Sequence, residues 1–284
     1  MELKTNNIMY KSMMLDNNQK VNYVAQGEGN PIVLVHGLAA SLHDWDDLLP
    51  ELSDSGYQSF ALDLLGHGES EKPIDHNHYT FQNLFNDFSA WIDSLQLTEP
   101  FPLVGHSLGG GLSLQYALMN PEKVSGLVLV NPFYDIHQLP RAIRLFFHTP
   151  LLRTRFIERT PYRLFRFLID MTSYNFYIGD RESHVLPEHI RYQTALDYTR
   201  AASGIYHIPR TLPSTAFALS QLHQPTLLLW GGRDQTLAPN SFPELAQMLP
   251  NLKGTHAFPI CGHVPHQCHP EQFNPHVIEF LKSL

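Results

Sequence analysis

The segment Gly105-His106-Ser107-Leu108-Gly109 places a serine between glycines two positions away on either side, a spacing suited to a sharp turn that presents a nucleophile. The central residue of such a turn is forced toward positive φ, and a side chain at either flanking position would collide with the crossing backbone. A serine hydroxyl is a poor nucleophile at neutral pH, so the chemistry needs a base to take its proton and an acid to hold that base. Asp234, in Gly231-Gly232-Arg233-Asp234, supplies a carboxylate after the apolar run ending at Trp230, and His263, in Cys261-Gly262-His263, supplies an imidazole after the short apolar stretch Ala257-Phe258-Pro259-Ile260. The chain order Ser107, Asp234, His263 is the one expected when all three stand on successive strand ends of one sheet. Attack on a carbonyl also needs two donors for the oxyanion. The backbone N–H of Leu38, just past the run ending at Val35, and that of Leu108 are placed to serve, and one such donor is worth about 3 kcal/mol in the transition state.

The chain has 17 histidines, and only His263 combines an upstream strand, a preceding glycine and a following C-terminal helical pattern. His106, beside the serine, is expected to point to the opposite side of the turn in a structural role. Asp135, which follows the apolar run ending at Val130, is the alternative acid, and Asp63, ahead of a glycine-rich turn, reads as structural. Cys261, His263, His266, Cys268 and His269 are all zinc-ligand types crowded together, yet their spacing matches no common structural site and His263 is wanted as a base. No metal and no cofactor is expected.

Elements capable of holding these residues are visible along the chain. Short runs at 8–15 and 21–25 suggest an opening antiparallel pair. Continuous apolar runs at 32–35, 60–62, 101–104, 127–130 and 226–230 read as strands buried on both faces, the habit of parallel sheets. Leu108 to Met119 reads as a helix stopped by Asn120-Pro121, and helical spacing recurs at Trp45, Leu48, Leu49 and Leu52, along 81–95, and through Phe273, Val277, Phe280 and Leu281. The fold class predicted is α/β: a doubly wound, mostly parallel sheet with helices on both faces and ligands at the carboxyl ends of its strands.

Between Pro132 and Pro213 the alternation stops. The predicted organisation is a core in two parts, 1–132 and 213–284, with a helical lid inserted at 133–212. Eleven of the twelve arginines fall in 141–210 against six acids, giving that segment about +5 and the remainder about −13. Thr160-Pro161 reads as a helix start, with Leu164, Phe165, Leu168 and Ile169 on one side and Arg163, Arg166 and Asp170 on the other. The plain expectation packs the apolar side over the site with solvated arginines outside. A sharper one sets this face against an anionic membrane surface.

With 284 residues and 43% hydrophobic content the chain can bury a sizeable core, and its formal net charge of −8 argues against a general nucleic-acid binder. Two cysteines make no secreted-type disulfide framework, and the N-terminus lacks the apolar run of a signal peptide, so a soluble cytoplasmic protein is expected.

Taken together, VLVHG at 33–37, DLLGHGES at 63–70, GHSLGG at 105–110, LLLWGGRDQTL at 227–237 and CGHVPHQCHPEQF at 261–273 resemble the α/β-hydrolase superfamily over most of the chain. The resemblance implies Ser107 as nucleophile, His263 as base, Asp234 as orienting acid, Leu38 and Leu108 as the oxyanion hole, and the insertion as a cap. Serine at 107 argues against the aspartate-based haloalkane dehalogenases and epoxide hydrolases. A serine carboxylesterase or lipase-like enzyme is the leading expectation, acting on small or lipid-like apolar esters. Carbon–carbon bond hydrolases of ring-cleavage products share the triad and cap, but in them asparagine commonly precedes the serine and tryptophan follows the histidine, where this chain has His106 and Val264. Amidase, thioesterase and peroxidase-like activities, and a non-catalytic ligand-binding role, remain open at this level.

Overall fold

The computed structural model describes residues 9–147, 161–164, 166–167 and 187–284. The apolar runs become the centre of an eight-stranded sheet: β1 (Met9–Met14), β2 (Lys20–Gln26), β3 (Asn30–Val35), β4 (Tyr57–Leu62), β5 (Phe101–His106), β6 (Val124–Val130), β7 (Thr226–Gly231) and β8 (Leu252–Phe258). Their order across the sheet is β1-β2-β4-β3-β5-β6-β7-β8. β2 pairs antiparallel with β1 and β4, and every later pairing is parallel.

Successive residues of the central strands point to opposite faces, and both faces are covered, which explains why these strands are apolar throughout. Val33, Leu103, Leu127 and Leu228 enter one core with Phe88, Trp91 and Leu112. Ile32, Val104, Val128 and Leu229 enter the other with Trp45, Leu52 and Phe273. The helices include α1 (Leu49–Asp54), α2 (Phe81–Ser94), α3 (Leu108–Met119), α4 (Arg141–Phe147), α5 (Glu188–Arg200), α6 (Ser241–Met248), α7 (Pro265–Cys268) and α8 (Pro270–Lys282). The doubly wound, mostly parallel α/β sheet anticipated above is the architecture found.

Two elements depart from expectation. The helical spacing from Trp45 to Leu52 splits into a 3-10 turn, Leu42–Trp45, and the short helix α1. Pro50 causes the break, because its ring lacks an N–H and clashes with the preceding turn, so it fits only at a helix start. β8 begins at Leu252 rather than near Ala257 and ends before Pro259. As an edge strand, with exposed residues at Lys253 and Thr255, it carries no continuous apolar run.

Within 133–212, the described residues include the 3-10 turn Ile136–Gln138, α4, helical residues at 162–164 and 166–167, α5 and a 3-10 segment, Ser203–Thr211. Thr160, Phe165, Leu168, Ile169 and Asp170, with Arg153, Arg155, Arg159 and Arg181, lie outside the described residues. Leu164 is 47% exposed rather than packed inward. Arg166 is not simply solvated, because its two terminal nitrogens clasp the Glu188 carboxylate at 2.6 and 2.5 Å, the fork geometry that suits a guanidinium. Among the described residues, no helix is long and apolar enough to cross a membrane.

Candidate active site

β5 ends at His106, and the chain turns at once into α3, with Ser107 between them at φ 51° and ψ −114°. That conformation is rare for a residue with a side chain and persists only where its surroundings fix it. The flanking glycines make it feasible. A Cβ on Gly105 would lie 2.5 Å from the carbonyl oxygen of Gly109, and one on Gly109 would lie 2.2 Å from that of Val35. Ser107 N–H donates to Val130 O at 2.9 Å, tying the turn to the end of β6.

The three residues expected to act together meet at the carboxyl ends of β5, β7 and β8. His263 Nε2 is 2.9 Å from Ser107 Oγ, and His263 Nδ1 is 2.7 Å from Asp234 Oδ2. Facing a carboxylate, Nδ1 carries the proton, which leaves Nε2 to accept from the serine hydroxyl. The loops bearing Asp234 and His263 lie against each other. Arg233 N–H donates to Cys261 O at 2.9 Å, and a Cβ on Gly231 would stand 1.7 Å from Gly262 O. Only glycine permits that approach, and it brings Asp234 and His263 within hydrogen-bond distance.

The Asp234 carboxylate is buried and fully partnered. Oδ1 accepts from the N–H groups of Thr236 (2.8 Å) and Leu237 (3.0 Å), and Oδ2 accepts from Asn131 Nδ2 (2.7 Å) besides His263. Asn131 was missed from sequence. It sits at φ 42° just past β6, and its one signal was the Asn-Pro pair that closes the run. The Leu38 and Leu108 N–H groups donate to no acceptor among the described residues. Gly37 brings the first of these loops against the turn, since a Cβ there would lie 3.2 Å from Ser107 Cβ.

The competing residues go elsewhere. Asp135 caps the turn Ile136–Gln138 through His137 N–H at 2.7 Å and accepts from Ser214 Oγ at 2.5 Å, with no bond to His263. Asp63 accepts from Asn22 Nδ2 and from the N–H groups of Leu42 and Glu69, pinning the loops after β3 and β4. The cysteine and histidine set does not converge on one point: His263 serves Ser107 and Asp234, His269 meets Glu271 at 3.2 Å, and His266 lies 3.9 Å from Asp44. His106 is buried against Asp44 and the backbone of His263 rather than in the relay. Asp44, buried in the 3-10 turn, left no trace in the sequence pattern.

Comparison with known proteins identifies the family of this fold. A family model described as alpha/beta hydrolase fold matches residues 30–270. The chain is 28% identical to the cis-3-alkyl-4-alkyloxetan-2-one decarboxylase of Shewanella oneidensis, covering 93% of this chain and 86% of that one. It is 24% identical to the 2-hydroxy-6-oxo-6-(2'-aminophenyl)hexa-2,4-dienoic acid hydrolase of Metapseudomonas resinovorans, covering 92% and 87%. Among solved structures, an esterase from Exiguobacterium antarcticum superposes with a TM-score of 0.80 at 20% identity, covering 96% of this chain and all of the other, a likeness of fold. With the family model spanning most of its length, the chain belongs to the α/β hydrolase fold family.

Proposed function

We propose that the chain is a serine hydrolase that cleaves carboxylic esters of small or lipid-like apolar substrates through an acyl-enzyme on Ser107. The observation that carries this reading is the relay itself: a strained serine 2.9 Å from an imidazole whose other nitrogen is 2.7 Å from a fully bonded carboxylate. Ser107 Oγ attacks the ester carbonyl as its proton passes to His263 Nε2, and the N–H groups of Leu38 and Leu108 receive the oxyanion. The intermediate collapses with expulsion of the alcohol, which takes the proton from His263. A water, deprotonated by His263, then attacks the acyl carbonyl and restores Ser107. Besides the substrate and water, these steps use only groups of the chain itself.

Residues 133–212 are proposed as the cap that selects the bond. Its arginine excess suggests docking on anionic lipid, which co-sedimentation with anionic vesicles in low salt, but not with zwitterionic ones, would support. Equal sedimentation with both kinds of vesicle would remove that idea.

A fluorophosphonate probe should modify Ser107, located by peptide mass spectrometry, and a p-nitrophenyl ester panel from acetate to palmitate should show turnover that Ser107→Ala abolishes. A folded protein that resists the probe would instead be a binding relative. Carbon–carbon bond hydrolysis is the second reading, favoured by the likeness to the hexadienoic acid hydrolase over 92% of the chain. Turnover of a hexadienoic acid of that type with inert p-nitrophenyl esters would select it.

A further inference from the structure

Directly behind the relay, His106 bridges two acceptors. Its Nε2 is 3.0 Å from the carbonyl oxygen of His263, and its Nδ1 is 3.1 Å from Asp44 Oδ2. A carbonyl oxygen and an ionised carboxylate only accept, so against an ionised Asp44 both ring nitrogens would donate, which requires a ring with two protons and a positive charge. Asp44 is bonded as an anion should be. Oδ1 accepts from Gln267 Nε2 at 3.1 Å, and Oδ2 accepts from Gly37 N–H at 3.4 Å. Burial works to raise its pKa, but the hydrogen bond and charge of His106, helped by His266 and His36, overcome burial and hold the carboxyl below the usual carboxylate range.

The other groups facing His106 leave this assignment intact. From the end of β3 comes His36, whose pKa is lowered by burial; it donates from Nδ1 to Gly37 O and accepts Leu64 N–H on Nε2, as a neutral ring does. From α7 comes His266, with its ring 4.5 Å away and neither nitrogen hydrogen-bonded; burial first, then His106, pushes its pKa down to about 3. From the loop after β8 comes His263, 4.9 Å ring to ring. Asp234 lies beyond His263, and Asp63 acts on His36.

We propose that Asp44 and His106 form a buried carboxylate–imidazolium couple that positions His263: the His106 N–H holds the His263 carbonyl, and the positive ring opposes a second charge on the base. The proposal rests on the reading of His263 as the general base. Its effect is to keep His263 unprotonated, and so able to accept from Ser107, in more acidic solution than an isolated relay would allow.

The direct test is nitrogen NMR of the wild-type protein with labelled histidine. Both ring nitrogens of His106 should be protonated at neutral pH, and a singly protonated ring would overturn the proposal. Variants test the consequence through the pH dependence of probe labelling at Ser107. Asp44→Asn and His106→Gln each keep a neutral donor toward the His263 carbonyl. The acid limb should move up by about half a unit, with the plateau held within about threefold. His106→Phe removes the donor as well, and the plateau should fall by about tenfold or more. If Asp44→Asn and His106→Gln fold and label with an unmoved acid limb, the couple has no such role.

Zinc supplies a further arm, because the ligand atoms of Asp44, His106 and His266 lie within 4.8 Å of one another. Stoichiometric zinc uptake by chelator-treated protein in calorimetry, lost in Asp44→Asn, would put a metal where the proposal puts a proton and would overturn it. A wild-type protein inert to the probe would count against the hydrolase reading, while the NMR result would still stand on its own.

Discussion

Replacing Asp234 by asparagine should disable Ser107 by fixing the wrong proton on His263. The carboxylate faces four donors: two backbone N–H groups on Oδ1, and His263 Nδ1 with Asn131 Nδ2 on Oδ2. An amide has one acceptor oxygen, so one pair of donors must confront its NH2 group. The backbone pair cannot adapt. His263 can adapt by adopting the tautomer with a lone pair on Nδ1, and Asn131 can by flipping, at the expense of its long 3.3 Å contact with Gly231 N–H. The amide therefore turns its NH2 group toward His263. Nε2 then carries the proton 2.9 Å from Ser107 Oγ and can no longer receive one. A comparable acid-to-amide exchange in serine proteases lowers kcat by about 10⁴. That corresponds to about 5 kcal/mol of lost transition-state stabilisation. The fold should survive, because after this rearrangement the bonds at residue 234 are all still made, and only their charge assistance is lost. The assay is the second-order rate of fluorophosphonate labelling, which needs no knowledge of the substrate, with circular dichroism as the check on folding. Retention of more than about a tenth of the wild-type rate in folded Asp234→Asn would refute the reasoning, as would a comparable loss in Asp135→Asn.

Gly109→Ala sets a Cβ 2.2 Å from Val35 O and 2.6 Å from His36 O, so the backbone must shift; a loss of about 3 kcal/mol or more in urea denaturation is expected, and one within experimental error would count against the close-packed turn. Asp197, whose carboxylate accepts from Ser41 Oγ and Gln193 Nε2, has its pKa raised by burial from 3.8 to about 7. The folded state then binds more protons than the unfolded chain across that window, so this group's contribution falls as pH rises through it, and Asp197→Asn should raise stability at pH 8 by on the order of a few kcal/mol relative to pH 4. His67 and His266 are pushed by burial from 6.5 down to about 3, His67 also by His36 and His266 also by His106. Their folded forms stay neutral while the unfolded chain takes up protons, so their contribution is full above 6.5 and is lost as pH falls toward 3. Denaturation midpoints at a series of pH values should drop across that range, and a flat series would contradict it.

What the chain discloses without coordinates is uneven, for physical reasons. The turn at Ser107 is legible because glycines at 105 and 109 answer steric conflicts with backbone atoms that any residue would present there. The central strands are legible because two covered faces force apolar residues at every position, and α3 because Asn120-Pro121 stops it. β8 is obscure because its exposed positions interrupt the run. Asn131 and Asp44 are obscure for a different reason. Each is a single polar residue whose meaning comes from a partner far along the chain, 103 positions for Asn131 with Asp234 and 62 for Asp44 with His106. No local pattern records such a pairing. Arg166 is a milder case, since a helical wheel cannot foresee a partner 22 positions away.

The parallel pairing of β6 with β7, in register from Leu127 against Thr226 to Val130 against Leu229, joins the stretch of chain that carries Ser107 to the one that carries Asp234 and His263. Neither stretch holds a working relay alone. Ser107 therefore comes within hydrogen-bond reach of His263 only when that seam has closed. Reactivity at Ser107 is thus a built-in reporter of complementation between the two parts of the sheet. A chain severed between β6 and β7 would yield two fragments, each silent toward the probe, whose mixture regains labelling to the extent that the seam re-forms.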